Sequence, residues 1–189
     1  MKPELESLKR QLAESSLEAE KLASDLDDGQ WRWSPAAEVW PAGACIAHLN
    51  ETNRLYIAAI RKMIEDRSPV PSADVSFRYG MLERWFVKSM EPPPKFKMKA
   101  PKSFVPITVP SRVEALAEWR RIHTELMTLI ERADALHLSR NKVISPVNRF
   151  IKLSLGMAFA LVAAHNRRHI YQAKETVAEQ AKRAGASQW

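Results

Sequence analysis

With 189 residues, 46% of them hydrophobic, the chain is long enough for one domain with a substantial core and too apolar to be disordered. Its single cysteine, Cys45, excludes an internal disulfide and any paired-cysteine zinc site, and its longest apolar run, 156–164, is far short of the roughly 20 residues that cross a bilayer. The formal charge of +7 raises nucleic acid as a partner, but many of the lysines gather in a proline-rich stretch (Lys88, Lys95, Lys97, Lys99, Lys102) with only Phe96 and Phe104 to stack on bases, the pattern of a solvated loop.

Only five glycines, among long runs of Glu, Lys, Arg, Leu and Ala, point to an all-α chain. The opening residues are polar and no apolar signal core follows them, so the expectation is a cytoplasmic protein with neither a membrane nor nucleic acid as partner.

In chain order, Leu5, Leu8, Leu12, Ala19, Leu22 and Leu26 recur at helical spacing and predict a first helix over residues 3–28. Asp27-Asp28-Gly29 is expected to end it, the glycine taking a left-handed cap conformation. Trp31, Trp33 and Trp40 then read as packing across one end of a bundle. Pro41 suits the first turn of a second helix, 42–66, with Cys45, Leu49, Thr52, Tyr56 and Ala59 on one face and His48 beside it.

Residues 67–110 are an inserted excursion, because eight prolines forbid a continuous helix there. A short helix fits over 77–90, and the whole segment reads as a lid or wall over one end of the bundle. Ser111-Arg112-Val113-Glu114 is a capping box that opens a third helix, whose buried stripe is Leu116, Trp119, His123, Leu126, Ile130 and Ala133. His137, at its end, carries no chemistry. Residues 138–152 are basic and irregular. Ser154 can cap a fourth helix running to about Arg183, before Gly185 stops it and a frayed tail, 184–189, follows.

The fourth helix ends its apolar run at Ala164-His165-Asn166-Arg167-Arg168-His169. Residues four apart lie on one helical face, so His165 and His169 point at one place. Such a pair alone is more often buried and hydrogen-bonded, or simply exposed, than metal-bound; a third ligand reverses that balance. His48 lies two turns into its helix, at a level that side-by-side packing brings beside the pair. His123 is open as a fourth ligand but equally fits a core position. Tyr56 and Gln172 stand one or two turns beyond the histidines and can bond a ligand's second nitrogen or reach the open side. Cys45 reads as a small buried hydrophobe, and Arg54, Arg167 and Arg168 as solvated cations. Asn166 occupies the place of the glutamate in HExxH, which argues against the usual zinc-protease route.

These segments carry a resemblance. Trp40 precedes His48-Leu49 by eight positions, and His165, His169 and Gln172 make H-x-x-x-H-x-x-Q. With four long helices, the chain resembles the DinB-like superfamily of metal-binding four-helix bundles, which includes YfiT-type metal-dependent hydrolases and relatives acting as thiol S-transferases. Pro41 stands where that family often has serine, and the 67–110 excursion is longer than its ordinary connection. The resemblance implies a single DinB-like bundle domain spanning 1–189 and a divalent ion, zinc or nickel, on His48, His165 and His169. It implies an enzyme acting on a small molecule by hydrolysis or by transfer of a low-molecular-weight thiol. The other reading is a non-catalytic, metal-stabilised structural or stress-response module closed by a fourth side chain. Exposed apolar bundle faces allow a homodimer.

Overall fold

The computed structural model describes residues 1–67, 80–94 and 104–186. Lys95, Lys97, Lys99, Lys102 and Phe96, the start of the helix expected from residue 77, and the parts of the expected lid at 68–79 and 95–103 lie outside them. The described residues form α1 (Pro3–Ser24), α2 (Asp28–Arg32), α3 (Ala42–Glu65), α4 (Met81–Met90), α5 (Arg112–Ala133), β1 (Lys142–Ile144), β2 (Lys152–Ser154) and α6 (Leu155–Ala186).

Four long helices, α1, α3, α5 and α6, make an all-α bundle, as their periodicity predicts. α1 and α3 each pack on both α5 and α6, so they occupy opposite corners. Polar pairs between helices fix the directions. Lys9–Glu131 and Arg120–Glu20 run α1 antiparallel to α5. Gln11–Arg167 and Glu18–Lys174 run it parallel to α6.

The first boundary differs from expectation. α1 stops at Ser24, and Asp27 starts a helix instead of ending one: its carboxylate accepts the Gln30 N–H at 2.7 Å while Gln30 Oε1 accepts the Asp27 N–H at 2.9 Å. Gly29 lies inside this turn without a positive φ. The break is what lets Trp31 swing inward, where it is fully buried and donates Nε1–H to the Pro110 carbonyl at 3.0 Å. Its indole lies on the first turn of α3 so closely that a Cβ on Gly43 would come within 2.5 Å of both Trp31 Nε1 and Val109 Cγ1. Glycine is required there by contact, against its poor helix propensity.

Pro41 is the N-cap of α3 and lies one residue before its first turn; its carbonyl accepts the Ala44 and Cys45 N–H groups. The Ser111 capping box forms as expected. Residues 138–152 are more ordered than their sequence indicates. β1 and β2 pair antiparallel, Val143 opposite Leu153, and these two side chains turn inward. Three-residue strands are too short for their alternation to register in a sequence. Ser154 Oγ accepts the Met157 N–H at 3.3 Å and so caps α6, which continues through Gly185 to Ala186.

The core is in two parts. One apolar cluster joins Leu5–Leu12 of α1, Tyr56–Ile64 of α3, Ile122–Ala133 of α5, the hairpin and Leu155–Ala163 of α6. The other joins Ala19–Leu26, Trp31, Ala42–Leu49, Ala115–Trp119 and Ile170–Ala173. Between them a belt of buried polar residues crosses the bundle: Ser15, His48, Asn50, Thr52, Asn53, His123, Asn166 and Arg168. α4 packs on α6 beside this belt, with Glu91 paired to Arg167.

Candidate metal centre

Within the belt, α3 and α6 run antiparallel and bring His48 beside His165 and His169, across more than a hundred residues of chain. One nitrogen from each ring lies within 4.8 Å of the other two. His48 Nε2 and His165 Nε2 are 3.4 Å apart, and the ring centroids are 4.6–5.1 Å apart. No fourth histidine, cysteine or carboxylate among the described residues joins the group.

Two of the rings are oriented by a partner on their far nitrogen. His48 Nδ1 lies 2.7 Å from the Phe104 carbonyl, which can only accept, so the proton is on Nδ1 and the Nε2 lone pair faces the cluster. His169 Nδ1 lies 3.0 Å from Gln172 Oε1 and is placed the same way. Carbonyls behind imidazoles are the usual means by which a metal-binding histidine is held in one tautomer and one orientation.

Burial keeps the rings neutral. It lowers the pKa of His48, partly offset by the Phe104 carbonyl. It pushes His169 down to about 3, with the neighbouring His48 adding to the effect and the Gln172 bond opposing it. His165 is held well below its ordinary value by burial, then by His169, His48 and Arg168. Neutral imidazoles do not exchange a proton for a cation, so the donor set is ready to bind one.

The His48–His165 distance suits a divalent ion. Zinc–nitrogen bonds of about 2.0–2.1 Å in tetrahedral array place the nitrogens about 3.3–3.4 Å apart, the separation of His48 and His165. Three ligands from the described residues leave a tetrahedral ion at least one further coordination position. Trp40 walls one side, stacked on His169 at 5.8 Å and tilted over His48 at 4.9 Å. Its spacing from His48 was visible in the sequence, but its place against both rings was not.

A family model described as the DinB superfamily matches residues 11–173, which contain all three histidines and most of the length of the four long helices. The chain belongs to the DinB superfamily. No curated protein and no solved structure matches it. In this DinB-superfamily chain the remaining candidates are placed as follows. Gln172 is at the centre, bonded to His169. Tyr56 lies in the first apolar cluster, hydrogen-bonded to Ser145. His123 belongs to the belt and not to the cluster: its Nδ1 meets the Trp119 carbonyl at 3.1 Å and its Nε2 the Asn166 amide at 3.4 Å. Cys45 is fully buried among apolar side chains, and burial pushes its thiol up to about 12. Arg54 pairs with Glu51, Arg167 with Glu91 and Gln11, and Arg168 Nη1 with the Ser89 carbonyl. No helix among the described residues is long and apolar enough to cross a membrane.

Asn166 decides one chemical point. Where a zinc protease has its glutamate, this side chain is fully buried and hydrogen-bonded to Asn53 and His123. Hydrolysis by that route is excluded, because no carboxylate stands at that place to take the proton from a water.

Proposed function

We propose that the chain is a metal-dependent enzyme that acts on a small molecule, by hydrolysis or by transfer of a thiol to an electrophile. The observation that carries this reading is the convergence of three neutral imidazoles with no fourth donor among the described residues. A divalent ion held by His48, His165 and His169 keeps its full charge and supplies Lewis acidity, by which water or a thiol gives up its proton near neutral pH. The chain's own part is to hold two of the three rings, His48 and His169, through Phe104 and Gln172 and to shield one side with Trp40. Zinc and nickel suit the donors equally.

The reading as a purely structural metal module calls for a closed site, and its candidate fourth ligand, His123, is bonded to Trp119 and Asn166 instead. Elemental analysis of freshly purified protein, with His165→Ala as control, tests metal binding. About one zinc or nickel per chain is expected, lost in the variant, together with metal-dependent turnover of a model ester or of a thiol with a model electrophile. Protein that carries no ion and takes up neither metal on titration refutes the proposal. Bound metal with no turnover, and a large fall in melting temperature on chelation, would assign the ion the structural role.

A further inference from the structure

The ribbon of β1 and β2, together with the turn between its strands, plays no part in the metal centre. Its inner face is the buried Val143–Leu153 pair, and its outer face is unusual. Ile144 is 56% exposed, Val147 51%, Phe150 82% and Ile151 46%, a run of large apolar side chains in water within eight residues. Interleaved with them are Arg140, Lys142, Arg149 and Lys152, all exposed and none ion-paired among the described residues. From Ala135 to Lys174 the sequence has no Asp or Glu.

Pairing puts the two chemistries on one surface. Ile144 stands opposite Lys152 in the ladder, and the Arg149 guanidinium lies 5.1 Å from the centre of the Phe150 ring. The turn is braced from within. Ser145 N–H donates to the Ile151 carbonyl and Ile151 N–H to the Asn148 carbonyl, both at 2.9 Å. Asn148 Oδ1 accepts the Phe150 N–H at 3.0 Å, and Ser145 Oγ the Val147 N–H at 3.3 Å. Phe150 and Val147 are therefore presented by a turn ordered in advance, and little ordering entropy is left to lose on binding.

We infer that this hairpin is a docking surface for an anionic lipid bilayer, its apolar tip entering the headgroup boundary and its cations meeting lipid phosphates and carboxylates. Charge complementarity selects that occupant. A two-fold contact between copies of the chain would set the four cations of one hairpin against the four of the other. Nucleic acid would satisfy the cations but leave Ile144, Val147 and Ile151 in water, with one aromatic ring for stacking. A bilayer satisfies both sets, as an apolar side flanked by Lys and Arg does at membrane interfaces. No helix among the described residues is long and apolar enough to cross a membrane, and the attachment inferred here is peripheral. The hairpin adjoins the first turn of α6, ten residues before His165, so docking leaves the histidines about 15 Å farther along the bundle.

Co-sedimentation of the full chain with phosphatidylcholine vesicles, with and without phosphatidylserine, tests this. Binding to the anionic vesicles alone is expected, weakening steeply as salt is raised, since each cation near such a surface contributes roughly fivefold. Phe150→Ser should weaken binding about tenfold or more, from the apolar area it withdraws. Arg149→Glu with Lys152→Glu should abolish it. Both variants should keep the wild-type melting temperature and metal content, because the altered side chains are exposed. No binding at low salt overturns the inference, and so does equal binding by wild type and Phe150→Ser, which reports general adsorption of a basic protein. Tighter binding to duplex DNA than to vesicles, or a dimer dissolved by Phe150→Ser without vesicle binding, overturns it in favour of those partners.

Discussion

The polar belt makes its sharpest prediction at Asn166. Its neighbours form a chain of hydrogen bonds with one direction: Asn53 Nδ2 donates to Asn166 Oδ1 at 2.9 Å, Asn166 Nδ2 donates to His123 Nε2, and His123 Nδ1–H donates to the Trp119 carbonyl. Asn166→Leu, close in size, deletes the middle and leaves a buried amide and a buried imidazole nitrogen without partners. Each costs about 1–3 kcal/mol, so the variant should lose roughly 2–6 kcal/mol. For a protein of this size 1 kcal/mol moves the melting temperature by about 2–4 °C, which puts the loss within reach of thermal or urea denaturation of the metal-free protein. Asn53→Leu added to Asn166→Leu should cost less than the sum of the two alone, because it removes one of the orphaned groups. A single variant within about 0.5 kcal/mol of wild type, or two effects that simply add, would show that the chain of bonds does not hold α6.

Two further outcomes follow from the same geometry. Gln172→Leu removes the acceptor behind His169 and should weaken zinc binding about 10–100-fold in a competitive titration, with the apo protein's melting temperature little changed because Gln172 is only half-buried. His123, pushed down to about 4 chiefly by burial, must bind a proton on unfolding at any pH between that value and about 6.5. Stability of the metal-free protein should therefore hold above about pH 6.5 and fall as the pH drops toward 4, by up to roughly 3 kcal/mol from this residue. Its contribution should end below that, since both states are then protonated. His123→Asn should flatten that part of the wild-type curve; an unchanged slope would refute the assignment.

How far the sequence carries depends on what kind of group does the work. The long helices are legible because leucine and alanine recur with the helical period over 20 residues or more, and His165 with His169 because a spacing of four fixes a shared face. His48 is legible from its level in its helix and, with Trp40, through a family pattern. The hydrogen bond that orients His48 has no such signature, because its acceptor is a main-chain carbonyl, at Phe104. Tyr56 lies on the expected face of α3, but two turns carry it out of the belt into the apolar cluster, where its hydroxyl meets Ser145. The belt itself is hidden because Asn53 and Asn166 look like ordinary boundary residues until three helices meet around them. The end of α1 is misplaced because Asp27 pairs with Gln30 as a capping box that starts α2, and the burial of Trp31 against Gly43 that this turn serves is a tertiary contact.

The carbonyl of Phe104 has a consequence for mutagenesis. Every amino acid supplies an identical peptide oxygen, so replacing the side chain at 104 leaves the acceptor chemically intact and disturbs His48 only by shifting the strand of chain that carries it. A substitution survey scored on metal retention would then rank this position by how well each replacement fills the space of the buried phenyl ring, and would miss that the oxygen beside it steers an imidazole.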